Sequence, residues 1–283
     1  MKLYKKNTFT LVVTLISLVA ISFVLGSFVN PRCANAETTE IISLGDSKKS
    51  ASSKVELTGD SKKETLKVTV KKTQSDGRRV VNFNVNGKNA LTLKAYYNGI
   101  SVKHIELSKK QKFIWIRFTS DNDYCEYDRI YKYDKKTGKF KKVLSLCSET
   151  LPGGTVNVET TKIEVKNSKL VVSYSGMMMA TGRITWKYTY EYENGKFNLN
   201  VTWATPKSST MKNNIFKTNK HLNLYTDVGY DEVAFSVNKG AQLKLTEILL
   251  YDGEFYLKFS YKGQTGLIKA EESEVFKDVI IAG

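Results

Sequence analysis

The sequence predicts an all-β protein in two parts: an antiparallel β domain, sandwich or propeller-blade-like, followed by a small β-barrel. Three observations carry this. Beyond residue 36 only Pro152 and Pro206 remain as prolines, while Val, Ile, Thr, Tyr and Phe recur in alternating runs bounded by Asn, Gly, Asp and Ser. No long segment has apolar residues at a helical period. Glycines at 240, 253, 263 and 266 punctuate the last strands closely enough for a small barrel.

Residues 1–36 come first. Lys2, Lys5 and Lys6 lead into an apolar run, Phe9 to Val29, that ends at Ala34-Asn35-Ala36, the form of an export signal cleaved after Ala36. Residues 9–29 are also long enough to span a bilayer, so retention as a membrane tether is the alternative. Cys33 is not preceded by the small apolar run of a lipoprotein signal. The segment holds four basic residues and no acidic one, so its removal leaves 40 Lys and Arg against 28 Asp and Glu, a net +12. Most of that charge is lysine, a hydrated point charge rather than arginine's planar fork. A solvated surface and diffuse attraction to anionic wall polymers are both consistent with it; export and the scarcity of arginine argue against nucleic acid.

Residues 37–54 are polar and read as a mobile leader. The antiparallel domain follows over 55–204, with roughly eight to ten strands at ordinary strand length. Its best-specified hairpin turns at Asn194-Gly195. A two-residue loop there sets Tyr192 opposite Phe197, Tyr190 opposite Leu199, Tyr188 opposite Val201 and Trp186 opposite Trp203, all on one face. At Asn86-Gly87 a three-residue loop aligns Phe83 with Leu91 and Val81 with Leu93. Phe113 to Phe118 (FIWIRF) is apolar at nearly every position, as suits a central strand covered on both sides.

The next hairpin turns at Asp134 to Gly138. If Tyr133 pairs with Lys139, paired residue numbers sum to 272, which sets Cys125 opposite Cys147. An even number of cysteines in an exported chain favours a disulfide, and a register shifted by one leaves free thiols. Two oxygen-rich segments are candidate metal loops. Gly59, Asp60 and Glu64 match the calcium loop of FG-GAP and related repeats, D-x-N-G-D-G-x-x-E/D, so the segment resembles it; Glu56, Thr58 and Ser61 depart from that pattern, as an ordinary turn would. The other, Asp121 to Asp128, reads as a hairpin tip.

Residues 205–218 read as a linker, and 219–283 as the barrel. Leu222-Asn223-Leu224-Tyr225-Thr226, the strand entering Lys239-Gly240, and Tyr256-Leu257-Lys258-Phe259-Ser260-Tyr261-Lys262-Gly263 on to Gly266-Leu267-Ile268 resemble a bacterial Src-homology-three-type domain. That family commonly binds cell-wall peptides or glycans, so the resemblance implies a wall-binding groove, with Tyr225, Tyr230 and Tyr256 as its ligand-binding positions. Tyr256 stands at the family's tryptophan and Leu267 at its second aromatic, which points to an altered ligand or a lost one.

Catalytic signatures are thin. His104 and His221 are the only histidines, neither has metal-ligand spacing, and no glycine-flanked serine elbow is present. No cofactor, metal or catalytic residue is implied. The expectation is an exported, non-catalytic binding protein whose partners are wall peptide or glycan and anionic wall polymers. The alternative is a wall hydrolase with an unrecognised site in the first β domain.

Overall fold

The computed structural model describes residues 38–45, 47–73, 75–119, 127–146 and 157–281. Apart from one 3-10 turn, the regular structure of the described residues is β, and their strands form four antiparallel sheets. Sheet I is a meander of β2 (Ser50–Val55), β3 (Glu64–Thr73), β4 (Arg79–Val85) and β5 (Lys88–Ala95), following β1 (Thr38–Gly45), which belongs elsewhere. Sheet II continues with β6 (Gly99–Ser108), β7 (Gln111–Thr119), β8 (Tyr127–Asp134) and β9 (Lys139–Ser145), and takes β1 onto the free edge of β6. Sheet III is β10 (Asn157–Lys166), β11 (Lys169–Met178), β12 (Gly182–Glu193) and β13 (Lys196–Leu199).

Next come β14 (Trp203–Ala204), β15 (Lys207–Ser208), a 3-10 turn at Lys212–Asn214 and β16 (Ile215–Lys217). The last strands are β17 (Leu222–Tyr225), β18 (Val233–Val237), β19 (Gln242–Tyr251), β20 (Glu254–Tyr261) and β21 (Gln264–Lys269). Sheet IV runs β14-β19-β20-β21-β17-β18, with β16 also on β19, while β15 pairs back onto β12 of sheet III.

FIWIRF explains how the layers stack. In β7, alternate side chains serve two different cores, because neighbouring residues of a strand point to opposite faces. Ile114, Ile116 and Phe118 pack with Leu66, Val68, Val81 and Phe83 of sheet I, and Phe113 and Trp115 pack with sheet III. Phe113 lies with its ring centroid 4.8 Å from that of Tyr192 and 5.0 Å from that of Phe197. The second core continues into sheet IV, where Trp186 meets Phe255 edge-on at 5.5 Å. The described residues from Thr38 onward belong to one compact unit.

Several expectations need correcting. The polar leader is instead strand over Thr38–Gly45 and Ser50–Val55: Ile42, Leu44 and Val55 are buried, and the backbone supplies the rest of the pairing. The presumed linker carries β15, the 3-10 turn and β16, each paired or hydrogen-bonded to sheets III and IV. The Asn194-Gly195 hairpin holds for Tyr192 with Phe197 and Tyr190 with Leu199, with φ of 53° and 82° in the turn, then ends. Val201 is 58% exposed, and Trp203 pairs with Leu249 instead of Trp186.

At Asn86-Gly87 the expected partners Phe83 with Leu91 and Val81 with Leu93 are present. They arise from a two-residue turn plus a bulge after Phe83 rather than a three-residue loop. The β8–β9 hairpin pairs Tyr133 with Phe140, one residue from the expected register, and shifts again after Tyr131. Cys125 and Cys147 lie outside the described residues, as do Asp121, Asn122 and Asp123 and the whole of residues 1–36. Among the described residues no helix is long and apolar enough to cross a membrane.

Candidate functional site

Sheet IV buries one face and shows the other. Leu245, Ile248, Phe255, Leu257, Phe259 and Ile268 point into the core; on the opposite parity Leu249, Tyr256 and Leu267 form a separate cluster, with Trp203, Val228 and Tyr230 against it. Strand register builds this outer row. Trp203 is opposite Leu249, Leu249 opposite Tyr256, and Leu267 lies between Lys258 and Tyr225. Gly266 lets β17 come that close, since a Cβ there would fall 2.7 Å from Leu224 Cβ.

The three tyrosines that the sequence singled out come together on this face. Tyr225 and Tyr230 stack at 4.0 Å and 25°, and Tyr230 tilts over Tyr256 at 6.3 Å and 54°. Tyr230 reaches this position from the β17–β18 loop, which closes through Thr226 N donating to Glu232 O at 3.0 Å. Its φ is +62°, a region a bulky residue enters at a cost of about 1 kcal/mol or more, so several contacts must hold it there. They are the stack on Tyr225, the Tyr230 hydroxyl donating to Glu272 at 3.1 Å, and the Lys269 ammonium 5.9 Å from the ring centroid. Tyr256 is the floor, 5% exposed, while Tyr225, Tyr230 and Trp203 are half-buried and Tyr251 is 55% exposed at the margin.

Charges around the rings are paired. Lys269 bridges Glu254 at 2.9 Å, and the same carboxylate accepts from the Tyr256 hydroxyl at 2.7 Å. Lys258 bridges Glu247 at 3.0 Å and lies 5.0 Å from the Trp203 ring centroid. Burial, then the Glu254 carboxylate, pushes Tyr256 up to about 12, and burial with Glu272 raises Tyr230 further; both phenols therefore stay protonated donors at neutral pH. Glu254 is lowered, chiefly by Lys269. Although the chain is basic overall, residues 219–283 hold seven lysines and ten Asp or Glu, a net −3. Asp227, Asp231 and Glu232 lie in the loop that carries Tyr230. Aromatic faces with fixed hydroxyls and an acidic rim suit sugar rings, apolar side chains or the amino groups of a peptide.

Other singled-out residues go elsewhere. His221 is exposed, with Nδ1 3.3 Å from Asn238 Oδ1. His104 lies on β6 among Glu56, Glu106 and Lys112; burial and then the Lys112 ammonium lower its pKa, so the ring is neutral at pH 7. The Glu56–Glu64 loop is a turn satisfied by its own backbone and by lysines. Glu56 accepts from Thr58 N and Gly59 N, Glu64 accepts from Leu57 N, and Asp60 bridges Lys135 at 2.7 Å. Among the described residues, no group of three or more His, Cys, Asp or Glu is placed to hold a metal ion. Met177 and Met178 end β11, with Met178 fully buried.

Compared with known proteins, the chain matches no family model, no curated protein and no solved structure. Its function is therefore argued from its own residues. Sequence reasoning found the tyrosines but missed Trp203, Glu254, Lys269 and Glu272.

Proposed function

We propose that this is an exported, non-catalytic binding protein that associates with the bacterial cell wall. Residues 219–283 act in this reading as a small Src-homology-three-like barrel that takes wall peptide or glycan on its outer aromatic face, and the basic remainder adds attraction to the anionic envelope. The observation that supports it is the convergence of Tyr225, Tyr230 and Tyr256 into one half-exposed patch held in place by Glu254, Glu272 and Lys269.

The test is a pull-down with purified peptidoglycan stripped of anionic polymers, at low and high salt. A stacked ring contributes about 0.5–1.5 kcal/mol, so Tyr230→Ala is expected to weaken binding by roughly 3- to 10-fold. Tyr230→Phe, which keeps the ring, is expected to stay within about 2-fold. Equal binding by wild type and the alanine variant would sink the reading. Point variants serve better than deleting residues 215–283, because Phe255 packs on Trp186 and truncation would open the shared core.

A further inference from the structure

Three hairpin tips meet at one end of the sheet stack. The β6–β7 turn brings Lys109 and Lys110, the β8–β9 hairpin carries Lys132, Lys135, Lys136, Lys139, Lys141 and Lys142, and the β12–β13 turn brings Gly195. They surround a cleft of about 340 Å³, walled by Tyr133 and Tyr192 and faced by Lys110, Lys132, Lys135 and Lys141, with Asp134 at its edge. The Lys132 ammonium lies 4.8 Å from the Tyr192 ring centroid, and Lys141 Nζ would be 3.9 Å from a Cβ on Gly195.

Register makes this cleft unusual. Lys132 and Lys141 are direct cross-strand partners, an arrangement of like charges that destabilises a sheet. Lys135 is neutralised by Asp60 at 2.7 Å, and Asp134 is occupied by accepting from Lys136 N at 2.9 Å. Among the described residues no carboxylate lies within ion-pairing distance of Lys110, Lys132 or Lys141. Only ring faces offset the repulsion, Tyr192 at 4.8 Å and Phe113 at 5.8 Å from the Lys132 ammonium, and a local rule broken with no opposite charge to balance it is a mark of a binding site.

We infer that this cleft binds a phosphodiester-linked glycopolymer, its phosphates between Lys132, Lys141 and Lys110 and its sugar or polyol units against Tyr133 and Tyr192. Lysine binds phosphate as a point charge, without the bidentate fork that arginine offers to phosphate and carboxylate alike; with no arginine, the cleft suits spaced single charges rather than one planar anion. Lys136, exposed at the hairpin tip, carries positive charge past the cleft, which favours a polymer over a single small anion. The site adds to the wall-binding reading and rests on it only for where such a polymer is met. Stripped peptidoglycan probes the aromatic face and soluble poly(glycerol phosphate) probes the cleft, so the two fail separately.

The experiment titrates the protein with poly(glycerol phosphate) across salt. Three unneutralised ammoniums displacing counterions predict a log–log salt slope near −2, a loss on the order of 20-fold between 50 and 200 mM. Lys132→Gln/Lys141→Gln is expected to cut that slope to about a third and weaken binding at least 10-fold, and to raise the melting temperature of the free protein by relieving the cross-strand repulsion. The exposed pair Lys67→Gln/Lys94→Gln, on sheet I, removes the same charge and is expected to cost under 2-fold. Equal losses from both pairs would mean diffuse attraction, and a lower melting temperature in the cleft variant would mean the lysines are structural; either overturns the site. Tighter binding of polygalacturonate, or of an oligonucleotide with the same number of phosphates, would overturn the ligand class.

Discussion

His104 shows how a single side chain can set the pH range of the fold. Its lowered pKa means that the folded protein resists protonation while the unfolded chain accepts a proton near pH 6.5. The contribution of His104 to stability is therefore complete above pH 6.5 and is lost as the pH falls below it. The groups facing the ring act in both directions: Lys112 opposes the proton, and Glu106 and Glu56 favour it. Urea midpoints measured from pH 7.5 to 5 are expected to fall more for the wild type than for His104→Gln; parallel curves would remove His104 as the cause. Gly59 is a second sensitive residue, with φ of +79° and no room for a Cβ beside the Lys109 carbonyl at 2.9 Å. Gly59→Ala is expected to cost about 1 kcal/mol or more, read from the same urea midpoints.

At the scale of elements, β7 is the most exacting strand because it has no solvent face to absorb error. Ile116, fully buried against sheet I, is expected to cost about 2–5 kcal/mol as Ile116→Ala by urea denaturation. That strand was legible in the sequence because burial on both faces leaves only apolar types at successive positions. The Asn194-Gly195 hairpin was legible near its turn, where two positive φ angles fix the register, and stopped being so where the chain leaves sheet III. At Asn86-Gly87 the partners were legible but not the turn, because a bulge hides the two-residue loop. One extra residue on the facing strand, Ala90 opposite the Phe83–Asn84 step or Val143 opposite the Ile130–Tyr131 step, changes the pairing without changing the composition. The tyrosine site was readable in part. Tyr225 and Tyr256 follow from strand parity, but Trp203 arrives from a strand that leaves sheet III for sheet IV, a choice that depends on which edge is open. Strands β1 and β2 escaped notice because edge pairing is made by backbone groups, which the side-chain pattern does not record.

For the molecule as a whole, charge and aromatic surface are separated. Residues 37–218 carry a net +15 and residues 219–283 a net −3, so the two proposed binding surfaces differ in their response to salt. Poly(glycerol phosphate) binding is expected to fall steeply with ionic strength and stripped peptidoglycan binding to change little. The core shared by sheets II, III and IV also makes a single unfolding transition the expected outcome. Trp115 and Trp186 fluorescence and far-UV circular dichroism should give coincident urea curves, and separated midpoints would contradict it.

The pairing of β1 with β6 has a kinetic consequence. The first strand cannot settle on its neighbour in sequence, because β2 belongs to another sheet; it waits for β6, after all of sheet I has been made. Such non-local closure favours refolding on the scale of milliseconds to seconds rather than microseconds. During that interval Ile42 and Leu44 lie on an unpaired strand, open to a chaperone or to another copy of the same chain.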